Sequence, residues 1–283
     1  MILTIASASG NPMTRTQKLA RLKRRLKDCG GLLIAFSGGV DSTFLAAVAA
    51  RVLGRRALAV TALSPTYPAR EQRQAAALAR RIGIAHETVV SDELKIPGFA
   101  ANSPNRCYHC KHELFARLSR LARRRGLPAV ADGSNADDRR DYRPGRRAAR
   151  ELGVLSPLLD AGLTKADIRA LSRRMGLPTA DKPALACLAS RLPYGSAITA
   201  AKLPAVDRVE ETLRRMGFRQ VRARHHGDIA RIELEAADIE RAARPAARRR
   251  IVRAARRAGF AYVALDLEGY RTGSLNAVLK AAR

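Results

Sequence analysis

Apolar and polar positions alternate along the first half of the chain in blocks of two kinds. Short apolar runs suit buried strands, and longer runs with three-to-four-residue spacing suit helices. "LLIAF" leads into the polar turn Ser37-Gly38-Gly39-Val40-Asp41-Ser42, and an alanine-rich run follows as far as Gly54. "RALAVTALSP" reads as the next strand, "PAREQRQAAALARRIG" as a helix and "AHETVVSDEL" as a strand entering a loop. "KHELFARLSRLARRRG" is helical, with Leu114, Leu118 and Leu121 on one face and the pair Cys107 and Cys110 just before it. "PAVADGSNADD" is a strand running into a polar turn, and "DIRALSRRMGLPTADKP" is the last helix and its exit. Strands separated by helices of this length predict an α/β fold, a twisted parallel sheet with helices on both faces.

From about Ala184 the rhythm changes. "AAKLPAVDRVEETLRRMG" is helical, "FRQVRARHHGDIARIELE" alternates as paired strands do, and a basic helix precedes the strand "AYVALDL". This predicts a smaller α+β domain at residues 184–283, after a first domain at 15–183 and a disordered start at 1–14. No internal repeat is present; the arginine–alanine runs are biased composition.

Composition narrows the classes. A chain of 283 residues has room for about two domains, and 47% hydrophobic residues suffice for real cores although tryptophan is absent. No apolar run approaches the ~20 residues of a membrane helix. "MILTIASASG" has no basic residue ahead of its apolar patch, so it does not read as a signal peptide; Met13 offers an alternative start, and the cytoplasm is the expected compartment. The net charge of +28 comes from arginine mixed with alanine along helical stretches, a pattern of solvated helix faces. A nucleic-acid partner is thereby left open without being favoured. Cys29, Cys107, Cys110 and Cys187 in a cytoplasmic chain point to metal or chemistry before disulfides.

Residues Ser37 to Ser42 stand where ligands gather in open parallel sheets, beyond a strand's carboxyl end and at the opening of a helix. Gly38 and Gly39 let backbone N–H groups close on an anion, Val40 begins the helix, and Ser37 and Ser42 add hydroxyls. Asp41 suits an anion cradle only if a cation accompanies the anion, as Mg²⁺ accompanies nucleotide phosphates. The Gly-Lys-Ser/Thr ending of the ordinary P-loop is missing, and the glycine spacing is not that of the dinucleotide fingerprint.

Cys107 and Cys110 are three apart, with Cys187 far along the chain. Taken alone, the pair suits a redox couple or a zinc site recruiting His109 or His112. All three cysteines together suit a [4Fe-4S] cluster held at three irons.

Ser-Gly-Gly-Val-Asp-Ser resembles the pyrophosphatase loop of the N-type ATP pyrophosphatases. Together with "NRCYHCKHELF", "DGSNADDRRDYRPG", "KPALACLASRLPYG" and "RARHHGDIARIEL", the chain from about residue 15 onward is similar to the LarE family. Those ATP-dependent sulfurtransferases make the nickel-pincer nucleotide cofactor. The resemblance implies adenylation of a carboxylate of pyridinium-3,5-biscarboxylic acid mononucleotide, release of pyrophosphate and conversion to a thiocarboxylate. It implies ATP with Mg²⁺, and in the three-cysteine branch a [4Fe-4S] cluster on Cys107, Cys110 and Cys187 as sulfur source. In the other branch Cys187 is itself the sacrificed donor. Ser190, Arg191, Arg222 and Arg224 would contact the substrate phosphate, and the family forms homo-oligomers.

Gly133 and Asn135, following Asp132, are expected at the same sheet edge as the ATP loop, where they shape the nucleotide pocket or cap a helix. His225 and His226 have no partner spacing and read as surface residues; Cys29 reads as a structural thiol. The competing readings are a [4Fe-4S]-dependent tRNA thiolase and a non-catalytic basic metal-binding module. The second leaves the phosphate turn without a purpose.

Overall fold

Thr14 accepts a hydrogen bond from the Gln17 amide while the Gln17 side chain bonds back to the Thr14 amide. This reciprocal cap opens helix α1 (Arg15–Cys29). The computed structural model describes residues 13–140, 144–183, 186–271 and 273–274. The expectation of a disordered start therefore lies, for residues 1–12, outside the described residues.

Strand β1 (Leu32–Ala35) is the centre of a four-stranded sheet with β2 (Ala57–Leu63), β3 (Ala85–Val90) and β4 (Val130–Ala131), in the order β3-β2-β1-β4. Every pairing is parallel. Leu32, Leu33 and Ile34 are fully buried because helices cover both faces. Helices α2 (Val40–Leu53) and α3 (Ala69–Ile82) belong to the core that also takes in α1. Next come the short α4 (Pro97–Ala100) and then α5 (Arg106–Arg124), whose Leu114, Leu118 and Leu121 pack on the sheet's other face. Helices α6 (Pro144–Glu151), α7 (Pro157–Asp160) and α8 (Lys165–Arg174) complete this half.

Beyond a single 3-10 turn at Leu188–Arg191 come α9 (Lys202–Arg215), β5 (Val221–His226) and β6 (Ile229–Leu234). They are followed by α10 (Ile239–Ala243), α11 (Pro245–Arg257) and β7 (Tyr262–Leu265). The small sheet runs β5-β6-β7, antiparallel at the hairpin and parallel at β6–β7.

The two cores do not divide at residue 183. Leu94, Ile96 and Phe99, from the loop after β3, pack with Leu203, Val206 and the strands of the small sheet. One feature corrects the sequence reading: Cys107 and Cys110 lie inside α5, which starts at Arg106, rather than ahead of it. The Asn105 carbonyl opens the helix, accepting from both the Tyr108 and the His109 amides, so the apolar spacing that begins at Leu114 understates its length. No helix among the described residues is long and apolar enough to cross a membrane.

Candidate functional site

The turn after β1 is built as the sequence suggests. Gly39 caps α2, Gly38 holds a φ of 68°, and the amides of the first helical turn have no carbonyl ahead of them. Ser37 and Ser42 brace the turn through their hydroxyls, 3.2 Å apart, and the Ser37 amide donates to Ser42 Oγ. Gly133 passes so close that a Cβ there would stand 3.1 Å from the Ser42 nitrogen. Asn135 is buried and its amide donates to Asp41 Oδ1 at 3.4 Å, while Lys165 of α8 forms an ion pair with Asp41 Oδ2. Gly133 and Asn135 thus lie against the turn. Asp41 thus places a carboxylate at a helix N-terminus, an end that attracts anions.

Lys182 joins this turn to the rest of the site. Its Nζ donates to the Gly38 carbonyl at 3.2 Å, to Glu71 Oε2 at 2.8 Å and to Gln74 Oε1 at 3.3 Å. A little farther on, the Leu188 amide donates to the Thr66 carbonyl at 2.7 Å. Between these anchors sits Cys187, five residues from Lys182 and so within about 18 Å of it even if the chain is extended. Its carbonyl accepts from the Ser190 amide at 3.0 Å, Ser190 Oγ at 2.8 Å and an Arg191 guanidinium nitrogen at 3.1 Å. The backbone that carries the sulfur is therefore held firmly.

Cys107, Cys110 and Cys187 are neighbours electrostatically. Burial pushes the Cys107 thiol up, with the Cys187 sulfur adding to the effect. Cys107 is exposed as a residue, but its sulfur end is crowded by protein. Burial also raises Cys110 well above the ordinary thiol range; Glu93 is the next cause, and the other two cysteines contribute. Glu93 is a buried carboxylate that accepts from Ser64 Oγ at 2.5 Å, and its other oxygen lies 3.8 Å from the Cys110 sulfur. Tyr67 stands among the same groups: burial raises its phenol, and Cys110, Cys187, Glu93 and Cys107 raise it further. Among the described residues no three His, Cys, Asp or Glu side chains gather closely enough to hold a single metal ion.

Behind Cys187 lie the four residues expected at a phosphate. Arg191, Arg222 and Arg224 are all buried. Arg191 donates from two nitrogens to Glu210, at 2.7 and 2.9 Å, and Arg224 does the same to Glu233 at 2.9 and 2.7 Å. Arg224 also donates to the Ser190 carbonyl at 2.7 Å, which joins the small sheet to the Cys187 turn. Burial and then the Arg191 charge lower Arg222 to about 10, and its guanidinium lies over the Tyr270 ring. Arg191 and Arg224 thus each engage a buried carboxylate.

Glu93, Tyr67, Lys165, Lys182, Glu210 and Glu233 were not singled out by the sequence reading. Only Glu210 carried a signal there: it lies four residues after Val206, on the apolar face of its helix. His225 and His226 have lowered pKa values, mainly through burial, and His225 packs edge-on against Phe260. Cys29 donates to the Gly31 carbonyl.

Known proteins resemble this chain over most of its length. The asparagine synthase family model matches residues 20–233. An uncharacterised protein of Synechocystis is 48% identical over 93% of this chain and 98% of its own length. Pyridinium-3,5-bisthiocarboxylic acid mononucleotide synthase of Lactiplantibacillus plantarum is 38% identical over 95% of this chain and 98% of its own. A tRNA-specific 2-thiouridylase of Sphingopyxis alaskensis is 28% identical over 65% of this chain and 56% of its own. With a family match over most of its length and a synthase relative spanning nearly all of it, the chain belongs to the N-type ATP pyrophosphatases and, within them, to the LarE family of ATP-dependent sulfurtransferases.

Proposed function

We propose that the protein adenylates a carboxylate of pyridinium-3,5-biscarboxylic acid mononucleotide, releases pyrophosphate and replaces the AMP leaving group with sulfur to give a thiocarboxylate. The observation that carries this reading is the segment from Lys182 to Leu188. One end is bonded to the phosphate turn and the other to Thr66 beside the thiols. An acyl group activated at the turn therefore lies near sulfur, where water has less chance to intercept it.

The geometry supports the following roles. Backbone N–H groups at Gly38, Gly39, Val40 and Asp41, with Ser37 and Ser42, hold the ATP phosphates; Asp41 holds Mg²⁺; Gly133 and Asn135 close the turn. Lys182 and Lys165 offset phosphate charge. Ser190 and the cluster of Arg191, Arg222 and Arg224 hold the phosphate of the mononucleotide. Arg191 and Arg224 already engage Glu210 and Glu233, so the phosphate shares their guanidinium forks with these carboxylates.

The donor chemistry around Cys187 fits a [4Fe-4S] cluster on Cys107, Cys110 and Cys187. Three thiols that influence one another are the donor set that three irons of such a cluster would take, although among the described residues no three such side chains gather closely enough to hold a single metal ion. Such a group, held by Cys107, Cys110 and Cys187, would supply the sulfur that displaces AMP. After burial, Glu93 is the next group to oppose thiolate charge at Cys110, and Lys111 partly offsets it.

The test is a turnover assay on anaerobically prepared protein. With ATP, Mg²⁺ and the mononucleotide, pyrophosphate release should depend on the mononucleotide, and the preparation should carry about four irons per chain. Asp41→Asn should abolish pyrophosphate release and keep the iron. Pyrophosphate release without thiocarboxylate formation, in iron-loaded protein, would refute sulfur transfer. Loss of one H₂S from Cys187 after turnover would instead identify Cys187 as the sacrificed donor.

A further inference from the structure

Helix α11 presents a surface that the sulfur chemistry does not use. Its sequence, PAARRRIVRAARR, contains six arginines and no acidic residue. Arg248, Arg249, Arg250, Arg253, Arg256 and Arg257 are all exposed, and among the described residues none has an ion pair or a side-chain hydrogen bond. Other helices of this arginine-rich chain pair such residues four positions away. Examples are Arg117 with Glu113, Arg147 with Glu151, Arg215 with Glu211 and Arg244 with Glu240. On α11 that device is missing, and like charges at this spacing cost stability rather than add to it. A general bias toward arginine explains the residue type but not the absence of partners over the whole helix.

We propose that α11 is a docking surface for the phosphodiester backbone of a nucleic acid. The helix is about 20 Å long, and Arg249, Arg253 and Arg256 follow one another at helical spacing along one side, with Arg250 and Arg257 beside them. A ladder of planar guanidinium forks fits a repeating phosphate charge. Its apolar residues Ile251 and Ala255 are buried in the small-sheet core. No apolar face of α11 is left for insertion into a membrane surface, and the helix itself carries no aromatic residue of the kind that anchors protein–protein interfaces. Recognition here is of backbone charge and carries no base sequence. None of the α11 arginines belongs to the thiol group or the phosphate turn, so the proposal holds or fails independently of the substrate assigned above.

The test is fluorescence anisotropy with a labelled 20-nucleotide single-stranded RNA and, separately, a 20-base-pair DNA duplex, which distinguishes the two sources of the same backbone. A variant with Arg249→Gln, Arg250→Gln, Arg253→Gln and Arg256→Gln is compared with one of equal charge change. That control carries Arg51→Gln, Arg81→Gln, Arg123→Gln and Arg174→Gln, four exposed arginines on four different helices. The α11 variant should bind the RNA at least tenfold more weakly. Its log–log salt slope should be smaller by about 3, at about 0.7 per lost phosphate contact on a single strand. The scattered variant should lose less than threefold, and both should release pyrophosphate at the parent rate, which shows that they fold. Equal losses in the two variants would overturn the proposal, because the whole-chain charge would then be responsible. So would absence of binding by the parent protein at 50 mM salt, or tighter binding to phosphatidylserine vesicles than to either nucleic acid.

Discussion

Gly38 shows how much one residue decides at the phosphate turn. Its φ of 68° belongs to the left-handed region, and a Cβ there would stand 3.2 Å from the Ala75 backbone of α3. Gly38→Ala therefore adds a conformational cost of about 1–2 kcal/mol to a tight contact that the α3 backbone can relieve only by giving way a little. The expected result is a retained circular dichroism spectrum with pyrophosphate release lost. A variant that releases pyrophosphate normally would show that the turn tolerates a different path. Asp167 is a residue whose effect depends on pH. It caps α8 reciprocally with Thr164 and receives Lys18 at 2.7 Å and Arg15 at 3.1 Å from α1. Burial acts to raise its pKa, but the hydrogen bonds from Lys18 and Thr164 prevail and hold it at about 2. A depressed folded-state pKa contributes stability above the ordinary carboxylate range, and that stability is lost as pH falls through about 2. Asp167→Asn should accordingly unfold more readily in urea at pH 7, by about 1 kcal/mol as for a lost cap. The gap should close as pH falls from about 4 toward 2; a constant gap would remove ionisation from the explanation.

At the scale of elements, the strands and helices were legible because most have one buried face with regular spacing. Leu114, Leu118 and Leu121 are an example, and all three are buried on α5. The start of α5 was not legible, since its first turns carry cysteines, histidines and a tyrosine in place of an apolar stripe. Nor were the pairings that fix α9. Glu210 and Glu211 are adjacent and chemically alike, yet Glu210 is fully buried between Arg191 and Arg214, while Glu211 pairs with Arg215 near solvent. Only the packing of α9 on β5 separates them; there Glu210 also accepts from the Ala223 amide at 3.1 Å. Removing one partner of a buried pair leaves the other charge uncompensated, at about 3–5 kcal/mol. Glu210→Ala should cost that much in chemical denaturation, and Glu211→Ala under about 1 kcal/mol, as for an exposed pair. Similar losses for both would mean that water reaches Glu210. The phosphate turn was readable because its chemistry is local in sequence; the thiols and arginines come from three separate stretches, and their partners emerge only in three dimensions.

Over the whole molecule, the two sheets are held together by chain segments that cross between their cores. Phe99 precedes β4 of the large sheet in sequence, yet it is buried in the core of the small one with Leu203, Val206 and Phe218. Asn102 follows it with a positive φ of 56°, and its amide donates to the carbonyls of Leu192, Pro193 and Ser196. Arg106, buried beside it, donates to Asn102 Oδ1 and lies over the Tyr194 ring. These contacts place the start of α5, with its two cysteines, against the stretch that follows Cys187. Loss of the Phe99 ring should therefore act on both halves. Deleting a buried phenylalanine costs about 3–5 kcal/mol, and the cavity would open beside the Asn102 junction. Phe99→Ala should lower the midpoint of a single unfolding transition, with tyrosine fluorescence and far-ultraviolet circular dichroism moving together. Coincident curves would mean that the crossing segment makes the two sheets one cooperative unit. Two transitions, with only the later one unchanged from the parent protein, would show instead that the large sheet holds without its neighbour. The thiols, borne partly by each side, would then lose their shared setting before the ATP turn did.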